Sequence, residues 1–137
     1  MIAKVIIVPK HIGEKDFLEY MKRSHNLDGI KFNKSNLYKI NNIMMKMDNY
    51  AFEFGNYQSV ISSILKSLGK GSPDFLLYTT KNFLLCEFKS HNDSLSPTQI
   101  LWFDLHSKLP LAIAIAGNPY NVQKNPEFIE EESRIIA

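Results

Sequence analysis

Asp74, Glu87 and Lys89 are two carboxylates and an ammonium set apart along the chain by about the length of a hairpin. Side chains of a β-strand alternate between faces, so in the run Phe83-Leu-Leu-Cys-Glu-Phe-Lys one side carries Leu85, Glu87 and Lys89. The other side carries Leu84, Cys86, Phe88 and Ser90 and is suited to burial. A strand with an ionic pair where the period asks for core residues is either an exposed edge or a functional site. Asp74 follows Gly71-Ser72-Pro73 at the head of the preceding β-rich run. A hairpin turning near residues 80–82 brings it beside Glu87 and Lys89. Pro73 fixes its own φ and biases Ser72 towards extended backbone, so the approach to Asp74 is stiff, as suits a metal ligand.

Two converging carboxylates suit Mg²⁺, a hard cation that takes one or two carboxylates, waters and substrate phosphate oxygens. An ion there activates water and polarises a phosphoryl oxygen, while Lys89 orients the nucleophile or balances developing charge. This is the chemistry of phosphodiester hydrolysis. A Glu-x-Lys on a strand is by itself usually a surface ion pair of small energy, and Pro-Asp alone is commonly a turn. The combination carries the argument: Pro-Asp opening one strand, Glu-x-Lys closing the next, then a capped helix containing Gln99.

The elements that must position these groups follow from pattern. Lys4 to Val8 reads as a short strand ended by Pro9, and Glu14 to His25 has helical spacing. On a wheel of about 100° per residue, Phe17, Leu18, Met21 and His25 lie within about 60° of Glu14, which places Glu14 in the middle of the apolar face. Glu14 is therefore a candidate third acidic contributor, through water or directly. Lys31 to Phe54 alternates in patches and is rich in Asn and aromatic residues, which predicts strands and hairpins over helix. Gln58 to Leu68 reads as a helix stopped by Gly69. Asp74 to Thr79 and Phe83 to Lys89 form the expected hairpin across Thr80-Lys81-Asn82. Ser96 caps a helix with Pro97 at its first position, running to about Lys108, with Ile100, Leu101, Phe103 and Leu105 as its apolar surface. Leu111 to Ala116, ended by Gly117-Asn118-Pro119, predicts a buried strand.

Length and composition bound these readings. At 137 residues, with 45% hydrophobic and 22% charged residues, the chain has the balance of a globular protein and the size of one domain, taken as 1–137. No apolar run approaches the roughly 20 residues needed to cross a bilayer, and the N-terminus lacks the pattern of a secretory leader. An intracellular, cytoplasmic protein is expected. The single Cys86 excludes an internal disulfide and any multi-cysteine zinc or iron–sulfur site, and it alternates away from the acidic pair. The net charge of +2 is too small to announce a polyanion partner, but its distribution is uneven. Residues 1–70 hold 11 Lys and Arg against 6 Asp and Glu, a net of +5; residues 71–137 hold 5 against 8, a net of −3. Lys70 and Lys81 flank the acidic motif and are candidate phosphate contacts. His11, His25, His91 and His106 show no metal-ligand spacing, and Trp102 and Phe103 read as core.

At these residues the sequence resembles the PD-(D/E)XK nuclease superfamily, whose signature of Pro-Asp followed by Glu/Asp-x-Lys is met by Pro73-Asp74 and Glu87-Phe88-Lys89. Within it the sequence is most similar to the VRR-NUC family, in which Gly-x-Pro-Asp, Glu-x-Lys and Ser-Pro-x-Gln follow in order. Here they read Gly71-Ser72-Pro73-Asp74, Glu87-Phe88-Lys89 and Ser96-Pro97-Thr98-Gln99, within residues 66 to 116. The resemblance implies an α/β (α+β) restriction-endonuclease-like core, a central mixed β-sheet flanked by helices in the order α-β-β-β-α-β. It also implies Mg²⁺ or Mn²⁺ and cleavage of DNA, often branched, flapped or a Holliday junction. By position, Asp74 and Glu87 are implied as metal ligands together with the Phe88 carbonyl, Lys89 as catalytic, and Gln99 as a helix residue facing the site. Small stand-alone members are similar to dimeric junction nucleases, which implies a homodimer. The family's first helix offers a Glu with a Gln shortly after it, whereas Glu14 has no such Gln. The competing reading is a catalytically silent nucleic-acid-binding module on the same fold. Repair, recombination, restriction and viral genome processing in a host cell are all compatible pathways.

Overall fold

A computed structural model describes residues 3–46 and 64–117, and residues 129–132 by their backbone. Its described elements are β1 (Ala3–Val8), α1 (Glu14–His25), β2 (Asp28–Lys31), α2 (Leu37–Met45), β3 (Phe75–Tyr78), β4 (Phe83–Lys89), α3 (Pro97–Leu105), β5 (Leu111–Ala116) and β6 (Ile129–Glu132). The strands form one six-stranded sheet in the order β2-β3-β4-β5-β1-β6. β2, β3 and β4 are antiparallel, while β4, β5, β1 and β6 run parallel, so the sheet is mixed. The α-β-β-β-α-β order is found in α1, β2, β3, β4, α3 and β5, with α2 lying between β2 and β3 in the chain.

Both faces of the sheet are covered, and β5 shows how the sequence arranges this. In Leu-Ala-Ile-Ala-Ile-Ala, Leu111, Ile113 and Ile115 join the core with Ile40, Met44, Trp102 and Phe103. Ala112, Ala114 and Ala116 face the other way, where small side chains leave room for Phe17 and Met21 of α1. A central parallel strand buried on both faces reads as a continuous apolar run for this reason. The same is true of β4: Leu85 is buried towards α2 and α3, and Cys86 and Phe88 towards α1, so burial is not confined to the face opposite Glu87.

The β3–β4 turn is closed by Thr79, whose Oγ1 accepts from the backbone N–H of Lys81 and Asn82 at 3.2 and 3.1 Å. The expected strands over Lys31 to Phe54 are corrected where the structure describes them. Leu37–Met45 is a helix, entered through a 3-10 turn at Lys34–Asn36 that Asn33 caps by accepting the Asn36 N–H. Ile40 and Met44 are four residues apart and fully buried, and Leu37 and Ile43 pack beside them, so the apolar spacing is helical. The preceding segment supplies the unanticipated edge strand β2. Of the predicted helix Gln58 to Leu68, residues 64–66 are helical and residues 58–63 lie outside the described residues, as do 47–54 of the predicted hairpin region. α3 ends at Leu105, short of Lys108. Leu101 and Leu105, expected as its apolar surface, are 57% and 71% exposed, because Trp102 and Phe103 occupy the core face. Among the described residues no helix is long and apolar enough to cross a membrane.

Parallel pairing of β1, β4 and β5 puts the ends of these strands at Val8, Lys89 and Ala116 on one rim of the sheet. Antiparallel β3 begins on that rim and β2 ends on it, with the Phe32 N–H donating to the Asp74 carbonyl at 2.8 Å. In open α/β sheets this carboxyl rim is where ligands bind.

Candidate active site

Phe75 pairs with Cys86 in the β3–β4 ladder, so Asp74 lies across from Glu87 on the next rung. The antiparallel register therefore places two carboxylates side by side, an arrangement that is repulsive when both are ionised. Asp74 is anchored by accepting the Phe88 backbone N–H on Oδ2 at 2.9 Å. It is half-buried and open to solvent on one side. Glu87 is 2% exposed, the one charged residue among the buried described residues.

Glu87, Lys89 and Gln99 converge. Glu87 Oε2 accepts from Gln99 Nε2 at 3.1 Å and stands 3.6 Å from the Lys89 ammonium. Lys89 Nζ donates to Gln99 Oε1 at 2.9 Å. Gln99 Oε1 also accepts the Ser96 backbone N–H at 2.9 Å, and the Gln99 N–H donates to Ser96 Oγ at 3.2 Å, which closes a capping box. One glutamine thus caps α3 and bridges the Glu–Lys pair, so the helix start and the site share one geometry. A cap of this kind contributes about 0.5–2 kcal/mol to stability.

Glu87 Oε1 is buried and has no hydrogen-bond partner. The Asp74 carboxyl is within hydrogen-bonding reach of Glu87, but two carboxylates are acceptors only and cannot satisfy each other without a proton or cation between them. Burial is the main reason the Glu87 carboxyl is pushed up to about 9, followed by Asp74; Lys89 works in the opposite direction. An orphaned buried oxygen beside a second, solvent-reachable carboxylate is a donor set that fits a divalent cation with hard-oxygen preference.

The structure brings together Asp74, Glu87, Lys89 and Gln99, and the Phe88 amide joins them through Asp74. It does not bring Glu14 to them. Glu14 is exposed in the first turn of α1, where the helical wheel had set it among buried residues. Phe17 and Met21 carry the burial, and Phe17 packs on Phe75 and Phe88, on the sheet face opposite Glu87. The wheel grouped Glu14 with Phe17 and Met21, but only the latter two are covered: Glu14, the first residue of the helix, is exposed. No group of three His, Cys, Asp or Glu suited to a metal forms among the described residues. The expectation of a buried Cys86 holds, and so does that of Trp102 and Phe103 as core. Trp102 donates its indole N–H to Ser67 Oγ at 3.0 Å and stacks on His106, tying α3 to the residues before β3.

Gly71 is the residue whose role the sequence motif did not explain. Its φ is +86°, and a Cβ there would run into the Thr98 carbonyl of the first turn of α3. Gly71 lets the loop leading to Asp74 lie against the helix that presents Gln99. Gly71→Ala should therefore cost about 1–3 kcal/mol, from a strained left-handed backbone and displacement of α3, read as a lowered urea midpoint. An unchanged midpoint would mean that the loop and helix part without penalty.

The family model of the VRR-NUC domain matches residues 53–116. This stretch holds Asp74, Glu87, Lys89 and Gln99 and excludes Glu14. It begins at Glu53, which is followed by Gln58; both lie outside the described residues. No curated protein and no solved structure matches the chain.

Proposed function

We propose, from the match of residues 53–116 to the VRR-NUC domain, a PD-(D/E)XK-type nuclease family, that the protein is a divalent-metal-dependent DNA endonuclease. The observation that carries this reading is Glu87 Oε1, a buried carboxylate oxygen left without a partner beside Asp74. Asp74 and Glu87 would hold Mg²⁺ or Mn²⁺, with the Phe88 carbonyl as a further oxygen. When bound, such an ion lowers the pKa of its water and stabilises charge on the phosphoryl oxygens. Lys89, fixed by Gln99 Oε1, presents an ammonium at the same place, where it orients the attacking water and offsets charge gathering on the phosphate. Gln99 bridges Glu87 and Lys89 and would keep both in place for the cation. We assign a third acidic contribution to Glu53 in preference to Glu14, because the family match starts at Glu53 and Gln58 follows it. By likeness to small junction nucleases we extend the reading to a homodimer acting on branched, flap or four-way-junction DNA.

The test is a panel of single-stranded, duplex, flap and four-way-junction DNA with Mg²⁺ or Mn²⁺, using wild type, Asp74→Ala, Glu53→Gln and Glu14→Gln. Asp74→Ala should lose at least about 10²-fold in rate, the scale of removing one group that stabilises developing charge. Glu53→Gln should fall well below Glu14→Gln. Cleavage that persists in Asp74→Ala would be foreign to this site and would remove the enzymatic reading.

A further inference from the structure

The carboxyl rim carries exposed lysines on three loops that surround the site. Lys10 lies in the β1–α1 loop, Lys34 in the 3-10 turn after β2, and Lys70 in the loop feeding β3. Each is exposed, and none takes an ion-pair partner among the described residues. At the opposite end, in the last turn of α1, Lys22 pairs with Asp28 at 2.9 Å and Arg23 with Glu19. Lys81, in the β3–β4 turn, and Lys108, between α3 and β5, also lie at that far end.

Building on the nuclease reading above, we propose that the nucleic-acid backbone crosses the carboxyl rim from the β2 side to the β1 side, with Lys10, Lys34 and Lys70 as its phosphate contacts. Asp74, just before β3, and Glu87, on β4, lie near the middle of this path. With strands about 4.8 Å apart, the four gaps from β2 to β1 span about 19 Å. Duplex DNA carries one negative charge per roughly 1.7 Å of axis, so several phosphates fall within reach of the three lysines. Of the acids on the same rim, Asp93 is engaged by the Ser90 N–H and hydroxyl at 3.3 and 2.7 Å, and Glu14 and Asp16 flank the exposed Lys15 at the N-terminus of α1, whose dipole offsets part of their charge. Of the two lysines that flank the motif in sequence, the tertiary arrangement retains Lys70 and removes Lys81.

The experiment is the salt dependence of binding to a short fluorescein-labelled duplex, by anisotropy in EDTA between about 50 and 200 mM salt. Wild type is compared with Lys10→Gln/Lys34→Gln/Lys70→Gln and with Lys81→Gln/Lys108→Gln, each checked for an unchanged melting temperature. Loss of three phosphate contacts should make the log–log slope shallower by about 2.7, leaving the triple variant with about 40-fold less loss of affinity across that range. The far-end double variant should keep the wild-type slope. Each single rim variant is read in the same way, at about 0.9. A triple variant with the wild-type slope overturns the path, and so does a far-end variant that loses as much. Should that happen while wild type still cuts DNA with Mg²⁺ or Mn²⁺, the path alone is wrong. A wild type that neither binds nor cuts DNA takes the nuclease reading down with it.

Discussion

Glu87→Gln should make the metal-free protein more stable at pH 8 while lowering metal-dependent cleavage by at least about 10²–10³-fold. The stability gain follows from the surroundings of the side chain. A glutamine carbonyl can still accept from Gln99 Nε2, and its amide N–H can donate to Asp74, so the orphaned buried oxygen becomes a satisfied donor. Ionised Glu87 has no such solution unless a proton or cation lies between the two carboxyls. The pH dependence has a definite sign. An ordinary glutamate releases its proton near 4.5, and in the folded protein burial and Asp74 raise Glu87 to about 9. Below the first value both states are protonated and no penalty exists. Between the two, the folded state holds a proton that the unfolded chain has released, so stability falls as pH rises, by at most about 1.4 kcal/mol per pH unit. Above about 9 the dependence levels off. Urea midpoints of wild type in EDTA should therefore decline from acid towards pH 9, and those of Glu87→Gln should be flatter. Mn²⁺ should restore wild type most at the alkaline end, where no proton competes. Parallel pH profiles for the two proteins would mean that Glu87 is ionised and solvated in the fold.

Lys89→Met should separate metal binding from turnover. The Lys89 ammonium lies 3.6 Å from Glu87 Oε2 and lowers the pKa of that carboxyl, so it competes with a cation for the same charge. Its removal leaves Gln99 in place, because Ser96 still donates to Gln99 Oε1 and Gln99 Nε2 still reaches Glu87. The Mn²⁺-induced rise in melting temperature should be retained or enlarged. Cleavage should fall by about 10²–10³-fold if Lys89, as proposed, stabilises charge in the transition state. Loss of the thermal shift along with turnover would instead assign Lys89 to holding the two carboxylates in position. The two variants together distinguish the acidic pair as the ion's ligands from the lysine as the reacting phosphate's counter-charge.

Much of this arrangement was legible because it is local. The β3–β4 hairpin needs a short polar turn between two β-rich runs, and its length alone sets Asp74 across from Glu87. The cap of α3 is read from Ser96, Pro97 and Gln99 in a row, since the capping box closes within four residues. Strand alternation placed Glu87 and Lys89 on one face, and the short apolar run of β5, ended by Gly117-Asn118-Pro119, marked a buried strand. What failed depended on groups distant in sequence. Leu37–Met45 was mistaken for strand because its Asn-rich polar face hid a helical stripe that only Ile40 and Met44, packed in the core, reveal.

Residue types and short spacings by themselves determined the acidic pair, its lysine, the capped helix and the chemistry they permit, because hydrogen bonding within hairpins and helix caps is decided over a few residues. Three things required the tertiary structure. Burial decided that Glu14 is exposed and Glu87 enclosed, since solvent exposure is set by whatever packs above a side chain. Close approach decided the need for glycine at Gly71, because the Thr98 carbonyl comes from a separate element. Sheet order decided which lysines share a rim with the site: parallel crossovers gather chain segments far apart in sequence onto one edge, and no spacing along the chain encodes that gathering.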